Sequence, residues 1–413
     1  MSDSPRRART REPERRQGVM RFEIPDQLLP EEHAARIIWR VVETLNLDGF
    51  VERAKALDGV AGRSITSVRM LLTLWLYAIS EGIGSGREIE RKLSTDTAFQ
   101  WIVSGERVGR STINSFRAMH GKALDKVFTD VLASLVKSGL VALDTVAQDG
   151  TRIRASASAP SFRREASLKE CREQAALHLR AVLAASDDAA EQRAQRAREA
   201  KARDLAARVD AALATVKELE VGRSGAEPRA STTDPEARVM KMADGGFRPA
   251  YNVQFATAGS PEGGPRTIVG ARVVSLGSDM GSIGPMLDDI ERRTGQLPKT
   301  LLADANHASF DDIAAATSRD VEVLVSVPHR SKNAGVSGSK DPAVLDWKRR
   351  METAEAKEKM RARGSLCELS NAHAKSRFGL GELLVRGLAK VTTMVLLTAL
   401  TANILAHGAK MLA

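Results

Sequence analysis

The sequence predicts a mixed α/β protein, an α+β mixed sheet covered by helices and preceded by an all-α segment. Three observations predict it. From Pro30 to about Lys137, apolar residues recur at helical spacing without a strand signal. From residue 142 onward, short apolar strand-like runs alternate with helix-like segments. Between these runs, from about Ser161 to Val221, lies a stretch rich in Ala, Arg and Glu that reads as an inserted antiparallel helical hairpin.

Bulk properties narrow the function. A chain of 413 residues is long enough for two or three domains with real cores. Aromatics make up 4% of it, which argues against a base-stacking RNA module. The net charge of +10 favours an anionic partner, nucleic acid foremost, with an inert basic surface as the alternative. Two distant cysteines, Cys171 and Cys367, exclude a disulfide framework and a Cys-rich zinc site and fit a reducing cytoplasm. Residues 1–25 hold no secretory signal and read as a disordered basic arm, touching DNA phosphate or simply solvated. The apolar run Val391–Ala406 is short for a membrane span and carries threonines and an asparagine, so a buried core helix is expected and no membrane partner.

Residues 26–140 form the predicted helical domain. "PEEHAARIIWRVVETL" spaces Ile37, Ile38, Val41, Val42 and Leu45 as one helix face behind Pro30 and two acids. "TSVRMLLTLWLYAI" is more apolar and reads as the central helix. Ser85 and Glu88 form a capping box for the next helix. A long helix then begins at Ser111 and ends at Gly139. Its first turns offer Arg110, Ser111, Thr112, Asn114, Ser115 and Arg117. They fit the recognition helix of a helix-turn-helix as well as an ordinary capped helix with polar neighbours.

Residues 141–413 form the predicted sheet domain, with the insertion at about 161–222. "VAQDGTRIRASAS" reads as two strands joined by an Asp149-Gly150 hairpin turn. In the insertion, Leu205, Val209, Ala212, Val216 and Leu219 make a narrow coiled-coil seam, and "ASDDA" at 185–189 the turn. Strands resume at "AYNVQFATAG" and "RTIVGARVVSL", followed by a helix, the strand "TLLA" ending at Asp304, a helix, the strand "EVLVSV" and further helices. This is the strand order expected of an RNase H-like core.

Two apolar strands end in acids, Asp149 and Asp304. Carboxylates at neighbouring strand ends repel unless a cation neutralises them, and oxygen-only ligands favour Mg²⁺ or Mn²⁺ over zinc. Glu368 is the candidate third acid; on a helix it shares a face with Asn371 and Lys375. Together the three acids would hold two ions. A solvent-facing Glu368 in a polar stripe is the alternative. Arg152 and Arg154 share a strand face beside Asp149, next to a DNA backbone or to solvent. Asn252 and Gln254 share another, facing DNA, the acids or water. Asp144 lies at a strand start, Asp234 in "TTDPEA" reads as a turn or cap, and the lone His307 as structural, a late ligand or a DNA contact.

These residues carry a resemblance. The chain resembles bacterial insertion-sequence transposases of the DDE class from about Asp26 to its C-terminus. The matching segments are "SVRMLLTLWLYAISEGIGSGREIERKL", "TAFQWIVSG", "STINSFRAMH", "VAQDGTRIRASAS", "TTDPEARVMK", "YNVQFA", "LLADANH" and "RGSLCELSNAHAKSRFGLGELLVRGLAKVTTMVLLTALTANI". The family's signature has a Tyr, an Arg three residues later, a Glu five after that and a Lys seven further; here these positions hold Met360, Arg363, Glu368 and Lys375. The resemblance implies an RNase H-like core with Asp149, Asp304 and Glu368 as catalytic, metal-binding triad for two Mg²⁺ or Mn²⁺ ions. Arg363 and Lys375 would contact phosphate or position the Glu. Candidate DNA contacts are Arg110, Ser111, Asn114, Arg117, Arg152, Arg154, Arg363, Asn371, Lys375 and Arg377. Met360 replaces the Tyr, removing a hydroxyl, and Asn306-His307 stand where Gly-Tyr is common.

The implied activity is cut-and-paste transposition in a bacterial cytoplasm, nucleoid-associated when DNA is bound. The partners would be double-stranded inverted-repeat and target DNA and at least one second copy of the chain. A catalytically inactive or domesticated DNA-binding protein, and a generic metal nuclease, are the alternatives.

Overall fold

The computed structural model describes residues 22, 24–52, 65–184, 192–221, 225, 227–260, 263–327 and 339–413. The "ASDDA" turn and all of the basic arm but residues 22, 24 and 25 lie outside the described residues.

The N-terminal helices are α1 (Ala34–Thr44), α2 (Asp48–Val51), α3 (Val68–Ser80), α4 (Gly86–Thr95), α5 (Thr97–Val103), α6 (Arg110–Met119) and α7 (Gly121–Lys137). The first begins four residues after Pro30, where the imidazole of His33 accepts from the Ala35 amide. The apolar α3 is central as expected, buried from Met70 to Ile79. Ser85 caps α4 through the Glu88 amide at 3.4 Å. The helix expected from Ser111 to Gly139 is two helices. They part at His120, whose φ -111, ψ 25 leaves the helical region, and the Thr393 hydroxyl packs so closely on Gly121 that a side chain there would sit 2.9 Å from it. Gly139 closes α7 at φ +70, a left-handed conformation that favours glycine.

The sheet strands are β1 (Thr145–Arg154), β4 (Arg238–Lys241), β5 (Phe247–Ser260), β6 (Gly263–Val274), β7 (Thr300–Ala303) and β8 (Glu322–Val325), with β2 (Phe162–Arg163) and β3 (Ala230–Ser231) forming a separate small pair. The order is β6-β5-β1-β7-β8, with β4 beside β6 along the outer edge of β5. Both β4 and β6, and β1 on the other side, run antiparallel to β5, while β7 and β8 run parallel to β1.

The Asp149-Gly150 hairpin is a correction. One unbroken strand pairs Val146–Arg154 against Ala258–Ala250, passing straight through the Asp-Gly pair. Gly150 serves another purpose: a side chain there would collide with the Asp279 carboxylate and the Gln254 amide. The glycine makes room for a buried polar cluster rather than for a turn.

Between β2 and β3 stand α8 (Glu165–Ala184) and α9 (Gln192–Glu220). They run antiparallel: Leu168 packs with Ala212 and Val216, while the Gln195 amide reaches the Val182 carbonyl at the other end. The remaining helices are α10 (Ile283–Thr294), α11 (Phe310–Thr317), α12 (Pro342–Glu352), α13 (Ala354–Ser376) and α14 (Leu388–Met411).

By composition α14 is long and apolar enough to cross a membrane, but two thirds of that apolar stretch is buried inside the protein. It packs on α1, α3, α7 and β6. Its polar residues have internal partners: Asn403 bonds both the amide and the carbonyl of Ile268 at 2.9 Å, and Thr267 pairs with His407 at 2.7 Å. A single apolar core thereby runs from the N-terminal helices through α14 into the sheet. Arg293 of α10 fastens the same seam, buried between Asp289 (3.0 Å) and Asp125 of α7 (2.7 Å).

Candidate active site

The parallel pairing of β1 and β7 has a constant offset: Thr145 faces Thr300, Val146 faces Leu301, Ala147 faces Leu302. Continued two residues, it sets Asp149 opposite Asp304. Side chains alternate along a strand, so Asp149 shares a face with Ala147 and Asp304 follows Leu302 by the same step. Ala147 and Leu302 pack against Leu366 and Cys367 of α13. Both acids therefore lie on the face that α13 covers.

Thr353 caps α13, its hydroxyl accepting from the Ala356 amide. Leu366, Cys367, Asn371 and Ala374 are its buried stripe, and Arg363, Glu368 and Lys375 flank that stripe. Asn371 donates to Asp149 Oδ2 at 2.9 Å. The Arg363 guanidinium stands between two acids, 3.9 Å from Asp149 Oδ1 and 3.8 Å from Glu368 Oε1. Glu368 is 67% exposed and its carboxylate meets this arginine. Among the described residues, no three His, Cys, Asp or Glu side chains gather closely enough to hold an ion as they stand.

The two aspartates differ electrostatically. Burial pushes the Asp149 carboxyl up; Arg363 opposes this and Asp304 adds to it. Burial also works against Asp304, but hydrogen bonds from His307 (2.6 Å) and Asn306 (3.0 Å) hold it below the usual carboxylate range. Crowded carboxylates separate in this way when one is better solvated by donors. Burial lowers the Lys375 ammonium, and Asp149 counters it. The Cys367 thiol is pushed up to about 12 by burial and by Asp149, so it stays neutral behind the acids.

The oxygen donors fit a hard cation. Asp149 feels the charge of Asp304, and Asn371, whose amide bonds Asp149, keeps a buried Oδ1 with no hydrogen-bond partner in the protein. Asp149, Asp304, Glu368 and Asn371 Oδ1 are the groups that would hold Mg²⁺ or Mn²⁺.

Of the candidate DNA contacts, Arg152, Arg154 and Lys375 line one groove of about 580 Å³ together with Lys241 and Arg248, two basic residues the sequence did not single out. Arg152 donates to the Gly277 carbonyl and Arg154 lies 3.7 Å from Glu382. Arg110, Ser111 and Arg377 are exposed. Arg117 is a correction: it is buried, donates to the Gly84 carbonyl at 2.9 Å and lies 4.6 Å over the Trp75 ring. Its other arm takes up Asn114 Oδ1 at 3.2 Å, so this face of α6 is turned inward and does not reach a phosphate.

Asn252 and Gln254 are also buried, and neither faces DNA nor solvent. Both donate to Asp279 Oδ1, at 2.7 and 2.6 Å. Asp279, absent from the sequence reading, lies outside any motif there, and no spacing pointed to it. Asp144 is exposed and paired with Lys299. Asp234 works as a cap, taking the Tyr251 hydroxyl (2.7 Å) and the Gly387 amide, while Glu236 takes the Leu388 amide; together they hold the start of α14.

The structure thus sets an acid-bearing mixed sheet behind a helical segment, with a groove lined by Arg152, Arg154, Lys241, Arg248 and Lys375 beside the acids. In the comparison with known families, residues 23–119, from before α1 to the end of α6, match the family model described as Transposase domain (DUF772). Over those residues, and those alone, the chain is similar to that transposase domain. No curated protein and no solved structure matches it.

Proposed function

We propose that this chain is a DDE-class transposase whose sheet is an RNase H-like core and whose triad is Asp149, Asp304 and Glu368. One observation carries the reading: β1 and β7 lie parallel and in a register that puts Asp149 and Asp304 together beneath α13, the helix bearing Arg363, Glu368, Asn371 and Lys375. The strand order, with one antiparallel arm β6-β5 and one parallel arm β7-β8 around β1, supports the core assignment.

Bound divalent ions would supply charge neutralisation and activation of the attacking oxygen. The protein's own part is placement. Asn371 fixes the rotamer of Asp149, and His307 and Asn306 keep Asp304 ionised. Lys375, Arg152, Arg154, Lys241 and Arg248 hold the phosphodiester backbone across the groove by charge. Arg363, now between Asp149 and Glu368, is free to turn to a phosphate once cations take over those acids. The substrate is double-stranded DNA, the element's inverted repeats and the target. Joining two ends calls for a dimer or larger assembly.

The exposure of Glu368 favours a second reading, a DNA-binding descendant without cleavage. Incubation with Mg²⁺ and DNA carrying the inverted repeats that flank the gene, beside Asp149→Ala, separates the two. Cleavage by the parent alone is expected. Binding without cleavage by either protein would establish the second reading.

A further inference from the structure

We infer that His307 is a positioning residue for Asp304, held in place by a buried anchor of Gln254 and Asp279. This rests on the reading of Asp304 as a metal-binding carboxylate. His307 is fully buried on the turn Ala305–His307 that Asp304 caps. Its Nδ1 lies 2.6 Å from Asp304 Oδ1 and its Nε2 lies 3.2 Å from Gln254 Oε1.

The donor directions follow from the far end. Asp279 is 5% exposed and its carboxylate only accepts, so the Gln254 amide must point its Nε2 at Asp279, 2.6 Å away. That turns Gln254 Oε1 toward His307 and toward the Gln148 amide at 3.3 Å. The ring is thus held at both ends, by Asp304 Oδ1 on Nδ1 and by Gln254 Oε1 on Nε2. His307 therefore fixes one carboxylate oxygen of Asp304, and the Asn306 side-chain amide holds the other, Oδ2, at 3.0 Å. Gly150 belongs to the same device, since its missing side chain is what lets Gln254 and Asp279 close behind β1. Partners behind a ligand of this kind commonly set its orientation and affinity.

The test uses the full chain, metal-free and labelled with ¹⁵N-histidine, together with Mn²⁺ titration followed by electron paramagnetic resonance. The variants are Gln254→Leu, His307→Leu and His307→Gln. The parent should show a hydrogen-bonded ring N–H resonance from His307 that Gln254→Leu, by freeing the Nε2 end, shifts. Mn²⁺ affinity should fall about 10–100-fold in Gln254→Leu and His307→Leu and recover in part in His307→Gln. If His307→Leu does not fold, Gln254→Leu, which keeps the imidazole, carries the test. Folded variants that bind Mn²⁺ within about twofold of the parent, with the resonance unshifted in Gln254→Leu, would overturn the inference. A parent that shows the resonance yet binds no Mn²⁺ leaves the hold of His307 on Asp304 standing and sinks the metal reading instead.

Discussion

Asn371 Nδ2 reaches across from α13 to Asp149 Oδ2 at 2.9 Å, tying a helix to a strand 222 residues earlier in the chain. The bond lies beside the Leu366 and Cys367 contacts that pack α13 on Ala147 and Leu302. It also leaves Asn371 Oδ1 buried without a hydrogen-bond partner in the protein.

Asp149 sits above its ordinary pKa mainly through burial, with the Asn371 donor pulling it back down. Asn371→Ala removes that donor. The ionised form of Asp149, which a cation needs, then appears only at higher pH, so the acid limb of the cleavage–pH profile should move up. Cleavage rates measured across pH 5–9 check it; an unmoved limb would separate Asp149 from the reaction.

Gly150→Ala distinguishes close approach from a turn. In an ordinary strand interior the change would stabilise slightly. Here the new methyl meets Asp279 and Gln254, so a loss of about 1–3 kcal/mol in urea unfolding is expected. A neutral or stabilising effect would mean that the cluster does not need the glycine.

How much of this was legible in the sequence can be argued from the same residues. The mixed α/β class was legible because period-two and period-3.6 patterns are local properties of the chain. The acids at the ends of "VAQ" and "TLLA" were visible for the same reason. Gly150 was misread because Asp-Gly looks identical whether it turns or passes through, and only pairing with β5 decides. Arg117 looked like a DNA contact because nothing nearby in sequence says that Trp75 and the Gly84 carbonyl lie beneath it. The contacts of Thr393 with Gly121 and of two β5 side-chain amides with Asp279 are likewise long-range. Glu368 was singled out chiefly by resemblance to a family signature, since its spacing alone is that of any helix face.

Arg117→Met tests the inward turn of α6. It removes the hydrogen bond to Gly84 and the stacking on Trp75, so stability should drop by about 1–3 kcal/mol. The salt dependence of DNA binding should stay as in the parent. Lys241→Ala and Arg248→Ala, in the groove beside Asp149, should each flatten the slope of log K against log salt by about one and leave stability nearly unchanged. The opposite pattern would return DNA recognition to the α6 face.

Arg293→Met tests the seam between the helical segment and the sheet. It removes one of the two guanidinium groups that pair with Asp289 and Asp125, Arg292 remaining, and about 1–3 kcal/mol of unfolding free energy should be lost at neutral pH. Burial raises Asp125, but Arg293 and Arg292 outweigh it and hold the carboxyl below its ordinary value. A depressed carboxyl stabilises above its unfolded pKa and loses that contribution as pH falls through the folded value. The parent should therefore lose its advantage over the variant as the pH drops below about 4. Urea unfolding of both proteins at pH 7 and pH 3 checks the magnitude and the sign.

The central claim is that Asp149 and Asp304 share a cation. The most direct measurement is an anomalous difference map from crystals of the chain with inverted-repeat DNA and Mn²⁺. The account predicts a manganese peak touching both carboxylates beneath α13, and none there in Asp149→Ala. Manganese bound elsewhere, or a DNA backbone seated in the groove with that corner empty of metal, would contradict it.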